Sequence, residues 1–380
     1  MRTADMTSRG LMIALLAATG TGACQDAPHV PPSGETKVDI TTVAKGLEHP
    51  WSLAFMPDGR MLVTERPGRL RYVEQGGALS EPIAGVPQVY AEGQGGLLDV
   101  VLDPAFDKNS TIYLSYAEPA GGGMNGTAVA RARLDGQALR DLKVIFRQKP
   151  RVASKHHFGS RLVFARDGSL FVTTGERNSE RDKAQDLGTH LGKIIRITPD
   201  GGVPPDNPFV GRKGALPEIW SYGHRNSQGA TLNPDTGQLW EIEHGPMGGD
   251  EINLPEAGKN YGWPVITYGR EYSGGPVGEG ITAKEGMEQP VHYWVPSIAC
   301  SGMTFHDGRT YARWKGQLFV GALQAAQLVR LEVEPGGKVL HEERIAIGKR
   351  VRDVREGPDG AIYLATDEDA GEILRVVPAN

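Results

Sequence analysis

Two separate segments gather the groups able to hold and turn over a polar ligand. The stretch Tyr222 to Trp263 reads YGHRNSQGATLNPDTGQLWEIEHGPMGGDEINLPEAGKNYGW and packs charge, amide and imidazole between turn-forming glycines and prolines, a mix suited to a rigid polar pocket. Upstream, His156-His157-Phe158-Gly159-Ser160-Arg161 supplies imidazole and guanidinium from another loop. Adjacent side chains on an extended chain face opposite ways, so at most one of the two histidines reaches a given pocket. Imidazole titrates near neutrality and suits proton transfer, although a surface pair of histidines reads the same way. His156, His157, His224 and His244 show none of the compact spacings of a zinc site, and the two cysteines, Cys24 and Cys300, cannot build a thiolate-rich one. Gly249-Asp250-Glu251 is a surface turn or a source of carboxylate and carbonyl oxygens for a hard cation such as calcium. Arg350-Val351-Arg352 puts two guanidinium groups on one side of an extended segment, which suits a multi-carboxylate ligand or serves as solvated charge.

The elements that must position these groups repeat. Turns at Asp58-Gly59, Asp107 to Asn109, Asp167-Gly168, Asp235 to Gly237, Asp307-Gly308 and Asp359-Gly360 each precede an alternating, β-rich run, such as Met61 to Glu65, Leu170 to Thr174 and Ala361 to Thr366. Second runs follow at Gly68 to Val73, Gly192 to Ile197, Gln327 to Leu331 and Gly371 to Val376. Hairpins recurring without helical periodicity predict an all-β fold, a six-bladed β-propeller of four-stranded antiparallel blades, with ligand groups on loops facing the central channel. A pair of β-sandwiches would need a linker near the middle, and none is visible. Gly121 to Gly126 matches the dinucleotide pattern G-x-G-x-x-G, but Thr127 to Leu134 alternates like a strand instead of opening a helix, which argues against nicotinamide binding.

Composition agrees with a loop-rich globular protein. The 380 residues include 51 glycines and 26 prolines beside 39% hydrophobic residues, and the formal net charge of −5, with no basic run, excludes a nucleic-acid backbone as the natural partner. Arg2 and Arg9, the apolar run Leu11 to Ala18 and small residues ahead of Cys24 have the layout of a secretory leader, too short to cross a bilayer. The chain is therefore expected to be periplasmic, with residues 1–23 as signal peptide, 24–38 as flexible tether and 39–380 as a single propeller. Cys24 sits where a bacterial lipoprotein is lipidated, giving a possible membrane tether, although Thr21 departs from the usual aliphatic residue and ordinary cleavage nearby is the alternative. Cys300 is then left without an intramolecular partner.

In order along the chain stand Gln94-Gly-Gly-Leu97, His157-Phe-Gly-Ser-Arg161, Gly223-His-Arg225-Asn226, Glu243-His-Gly245-Pro246, Gly249-Asp-Glu251, Asn260-Tyr261-Gly-Trp263-Pro264 and Arg350-Val-Arg352-Asp353. From about Val43 to Val377 this ordered set resembles the soluble, pyrroloquinoline quinone (PQQ)-dependent aldose sugar dehydrogenases, calcium-containing six-bladed propellers. The resemblance implies that His157 is the general base at the anomeric hydroxyl and that Arg225 stabilises negative charge on the quinone. It implies cofactor contacts from Gln94, Asn226, His244, Gln324, Arg350 and Arg352. Carbonyls of Gly245 and Pro246 would hold a catalytic calcium, and Glu251 with the Tyr261 carbonyl a structural one. The implied partners are an aldose and an electron acceptor other than oxygen, on a monomer or homodimer. Three departures stand out: His156 where glucose dehydrogenases carry an aspartate, Gln324 where relatives often carry a lysine, and a short span from Trp294 to Gly302, which predicts an open pocket and broad aldose specificity. A non-catalytic sugar- or protein-binding propeller and a calcium-dependent lactonase are the competing functions.

Overall fold

The computed structural model describes residues 36–334 and 336–379. The expected leader, Cys24 and nearly all of the tether lie outside the described residues. Strand β1 (Val38–Leu47) opens the described chain, and β2 (Pro50–Phe55), β3 (Met61–Glu65) and β4 (Arg69–Val73) make the first sheet. The second holds β5 (Leu97–Leu102), β6 (Thr111–Pro119), β7 (Asn125–Asp135) and β8 (Ala138–Arg147); the third β9 (Leu162–Phe164), β10 (Leu170–Thr173), β11 (Lys193–Ile197) and β12 (Ile219–Tyr222). The fourth holds β13 (Ser227–Leu232), β14 (Leu239–Glu243), β15 (Asp250–Asn253) and β16 (His292–Trp294); the fifth β17 (Cys300–Phe305), β18 (Leu318–Ala322), β19 (Gln327–Val333) and β20 (Val339–Ala346). The sixth sheet is β21 (Val351–Glu356), β22 (Ile362–Thr366) and β23 (Gly371–Pro378), completed by β1, which pairs antiparallel with β23 from Val38 opposite Pro378 to Leu47 opposite Gly371.

The first strands of successive sheets, β2, β5, β9, β13, β17 and β21, touch one another and close a ring, the hub of a six-bladed propeller. Each Asp-containing turn joins the first strand of a blade to its second. The one at Asp107 is wound into a single helical turn, α1 (Phe106–Asn109), the one at Asp307 opens a longer connection with a 3-10 turn at Ala312–Trp314, and the others are tight turns such as Gly59 at φ +85°. The expected four strands per blade fail in the first blade, which has three among the described residues. Past β4 the chain makes only isolated bridges, Val73 to Leu79 and Ala84 to Ala138. Pro82 and Pro87 lack the N–H groups a fourth ladder strand would donate. Gly121 to Gly123 form the β6–β7 turn, and the chain runs on as strand, as the alternating pattern required.

The apolar core lies in the seams between blades. Leu62, Leu70, Leu97, Val100 and Leu114 fill the seam of blades one and two, and Trp240, Ile252, Met303 and Val320 that of blades four and five. Cys300 is buried there as a free thiol. The hub is polar instead. Arg161 of the His157 segment, 2% exposed, pairs with Asp353 at 2.8 Å and Asp99 at 3.4 Å, while Arg355 reaches Asp99 at 2.9 Å and Asp353 at 3.0 Å. Buried charges must be matched this fully, because removing one partner leaves another uncompensated. Arg161 also donates to the Gln228 carbonyl at 2.7 Å and lies 4.2 Å over the Trp51 ring, so the hub is a rigid floor for whatever sits above it.

Candidate active site

Above that floor, where the innermost strands begin, is a cavity of about 180 Å³. Trp51, Leu98 and Phe158 give it an apolar wall; Arg66, Arg350, Arg352 and Asp367 a charged one; Gln94, Gln228 and His244 supply amides and imidazole. Gln94 precedes β5, Phe158 and Gly159 precede β9, His244 follows β14, and Arg350 leads into β21. Blade geometry thus brings together loops far apart in sequence.

His157 is held beside Phe158 with a backbone φ of +52°, a conformation costly outside glycine and stable only where surroundings impose it. Its N–H donates to Gln94 Oε1 at 2.7 Å, and its Nδ1 lies 3.0 Å from Glu176 Oε1. The Gly175 Cα passes so close that an added Cβ would stand 2.1 Å from the His157 carbonyl oxygen, so only glycine lets Glu176 reach the ring. Glu176 is 1% exposed and ties to the Arg225 loop through its N–H, 2.9 Å from the Arg225 carbonyl. With Nδ1–H given to the carboxylate, Nε2 keeps a free lone pair. Burial, reinforced by the positive charge of Arg225 and opposed by Glu176, pushes the His157 pKa down to about 4, so the imidazole is neutral at physiological pH. The orienting carboxylate left open by His156 is therefore Glu176; His156 is exposed, its ring 6.3 Å from that of His157.

Arg225 donates from Nη1 to the carbonyls of His244 at 3.0 Å and Gly245 at 2.9 Å, and packs 5.2 Å over Trp263. The expected cation ligand Gly245 thus already offers its oxygen to a guanidinium, which a bound ion must share or displace. Asn226 accepts from Gly159 N–H at 3.2 Å and Gln228 Nε2 at 3.1 Å. His244 is half-buried, its Nε2 against the Cys300 carbonyl, and desolvation lowers its pKa. Arg352 bonds Asp367 at 2.6 Å and Gln228 at 2.9 Å, and Arg350, half exposed, stands 3.7 Å from the same aspartate. Burial favours the neutral form of Asp367, but Arg352 outweighs it and holds the carboxyl well below the usual range. Gln324 is exposed on the β18–β19 turn, and its neighbour Leu323 lines the cavity in its place.

Among the described residues, Arg225 Nε, Asn226 Nδ2, Trp263 Nε1 and Arg352 Nε are buried donors near this site without a partner. Buried polar groups are normally satisfied, so orphaned donors grouped around one site fit a ligand rich in acceptor oxygens. That chemistry matches a quinone with carboxylates.

A second cradle lies behind Arg225. In the β14–β15 ladder Glu243 stands opposite Glu251 and Glu241 opposite Asn253, so three carboxylates share one face. All three accept from one Asn253 Nδ2, at 3.4, 3.2 and 3.2 Å for Glu241, Glu243 and Glu251. His224 Nδ1 lies 3.2 Å from Glu243, and His224, Glu241 and Glu243 are close enough to share one ion. Burial, then repulsion from Glu243, raises the pKa of both Glu241 and Glu251. Glu243, Glu251, Thr267 and Gly249 also border a void of about 10 Å³, the size of one water or ion. Crowded hard oxygens of this kind fit calcium. Tyr261 stacks on His224, ring centroids 4.8 Å apart, and gives its hydroxyl to the Leu254 carbonyl at 2.5 Å.

Of the residues expected from the sequence, Gln94, His244, Arg350 and Arg352 line the cavity and His157, Arg225 and Asn226 stand beside it, whereas Trp51, Arg66, Glu176, Gln228 and Asp367 were not expected. Only Glu176 carried a local signal, the Gly175-Glu176-Arg177-Asn178 turn that ends a strand.

The family described as Glucose / Sorbosone dehydrogenase matches residues 47–375. The aldose sugar dehydrogenase YliI of Escherichia coli is 49% identical over 351 residues, covering 90% of this chain and 94% of its own. A glucose dehydrogenase crystal structure superimposes with a TM-score of 0.87 at 53% identity, over 90% of this chain and 100% of that one. The PQQ-bound aldose sugar dehydrogenase of Streptomyces coelicolor does so with 0.73 at 27% identity, over 91% and 100%. With its fold, its cavity and these relatives in agreement, the chain belongs to the glucose/sorbosone dehydrogenase family.

Proposed function

We propose that this protein is a PQQ- and calcium-dependent dehydrogenase that oxidises aldoses at C1 to the lactone and passes the electrons to an acceptor other than oxygen. The observation that carries this reading is a neutral, carboxylate-oriented His157 beside a cavity near which buried donors of Arg225, Asn226 and Arg352 lack partners. Solved relatives named for aldose sugar dehydrogenase activity, one of them PQQ-bound, support it. A bound quinone would supply the hydride acceptor for C1, and a bound calcium a Lewis acid beside it. His157 Nε2 removes the C1 hydroxyl proton, and Glu176 stabilises the imidazolium that forms. Arg225, Asn226, Gln94 and His244 would hold the quinone head, with the Arg225 guanidinium supplying positive charge beside it. Arg350 and Arg352 grip carboxylates, Arg352 backed by Asp367 and Gln228. The cation sites are the Gly245 and Pro246 carbonyls and the cradle of Glu251 with Glu241, Glu243 and the Tyr261 carbonyl. The short 294–302 span leaves the sugar side open, favouring broad aldose use. Residues 1–23 direct export to the periplasm, with Cys24 as a possible lipid tether.

The test supplies purified protein with PQQ, calcium, glucose or xylose and a redox dye. Dye reduction that requires both additions is the expected result. Its absence with every aldose despite quinone binding refutes the reading, and sugar-lactone hydrolysis in quinone-free buffer would replace it with the lactonase.

A further inference from the structure

The cavity contains one cation without an assigned role. Arg66 follows β3, and its backbone is fixed on both sides, its N–H to the His49 carbonyl at 3.1 Å and its carbonyl to the Leu97 N–H at 3.0 Å. Its side chain lines the cavity and donates from Nη1 to the Gly93 carbonyl at 2.9 Å, beside Gln94. Among the described residues no carboxylate pairs with it. The neighbouring Glu65 is taken by Arg69 and Arg71, each at 2.8 Å. Asp367, the carboxylate in the cavity wall, is committed to Arg352 at 2.6 Å and to His49 Nδ1 at 2.9 Å.

Three guanidinium groups therefore face one carboxylate. Burial lowers the Arg66 pKa first of all, and Arg352 and Arg350 push the same way against the pull of Asp367. A half-buried guanidinium kept among like charges is unfavourable unless an anion joins it. One bond to a carbonyl uses only part of its donor fork, leaving the rest for a carboxylate.

Building on the function proposed above, we propose that Arg66 is a further binding residue, a third guanidinium clamp for the carboxylates of the quinone. It completes the charge match that Arg350 and Arg352 begin and couples the anionic end of the ligand to the Gln94 loop.

The test is an equilibrium titration of calcium-loaded apo-protein with PQQ, read by quenching of tryptophan fluorescence, since Trp51 lines the cavity. Loss of one charge-assisted contact in Arg66→Gln weakens binding about ten- to hundredfold, and the residual affinity is less sensitive to salt. Arg66→Lys recovers part of the loss as a point charge. The melting temperature of apo Arg66→Gln stays level or rises, because an unpaired cation has gone. An Arg66→Gln affinity within about twofold of the unaltered protein, with Arg350→Gln clearly weakened, overturns the inference and leaves the proposed function standing. A lower apo melting temperature with no recovery in Arg66→Lys assigns Arg66 a structural role and also overturns it. Absence of quinone binding by the unaltered protein overturns both.

Discussion

Replacing Glu176 by Gln keeps the shape of the His157 contact and removes its charge. The bond it alters is the 3.0 Å contact between Glu176 Oε1 and His157 Nδ1. Burial already drives the imidazole pKa from 6.5 to about 4, so the imidazolium is disfavoured by roughly 3 kcal/mol even with the carboxylate present. A charge-assisted bond of this kind contributes about 1.5–3 kcal/mol, and it strengthens as the proton arrives on Nε2. Its loss predicts a fall in kcat of roughly 10- to 150-fold with KM little changed. The acid limb of the kcat/KM profile, set near pH 4 by His157, moves lower in the variant. The assay is dye reduction at saturating aldose across pH with PQQ- and calcium-loaded protein, alongside a melting curve. A kcat within about twofold of the unaltered enzyme, or a rise in KM alone, refutes the orienting role of Glu176. The same shift fixes a stability effect. The folded pKa lies below the unfolded 6.5, so the unfolded chain binds its proton first; His157 costs nothing above about pH 6.5, and its penalty grows as pH falls toward 4.

Calcium is expected to stabilise the fold by relieving repulsion among Glu241, Glu243 and Glu251, by about 2.7 kcal/mol when present at a hundredfold excess over its dissociation constant, and Glu251→Gln is expected to lose most of that gain; calorimetry with calcium or a chelator, read as the rise in melting temperature, checks it. Gly245→Ala would set a Cβ 2.1 Å from the Gly248 carbonyl oxygen, so the 244–249 loop must move; about 1–3 kcal/mol of stability and most PQQ affinity should be lost, read by melting and titration, and unchanged affinity would refute the importance of that loop.

The blades were legible because their signal is local. An Asp-Gly turn and the alternating run after it occupy neighbouring positions, and all six runs fall in the second strand of a blade. Closure by β1 was not legible, since Val38 meets Pro378 from the opposite end of the chain. Nor was the missing strand of the first blade, where two prolines decide the outcome in an otherwise ordinary loop. His157, the arginine pair and the amides stood out in short motifs. Their supports were less legible: Glu176 and Asp367 meet His157 and Arg352 across strand pairs within blades three and six, and Gln228 of blade four reaches Arg352 of blade six only when the blades close around the hub. The carboxylate cradle was half readable: Glu241 and Glu243 alternate on one strand face, but their meeting with Glu251 depends on the β14–β15 register.

The most direct test of the whole account is to mix PQQ- and calcium-loaded protein with excess aldose under anaerobic conditions and follow the absorbance of the bound quinone, for the unaltered protein and for His157→Ala. The account predicts rapid reduction in the first and a rate lower by about 10²–10⁴-fold in the second, with quinone still bound. Reduction at equal rates in both, or none in either, would contradict it.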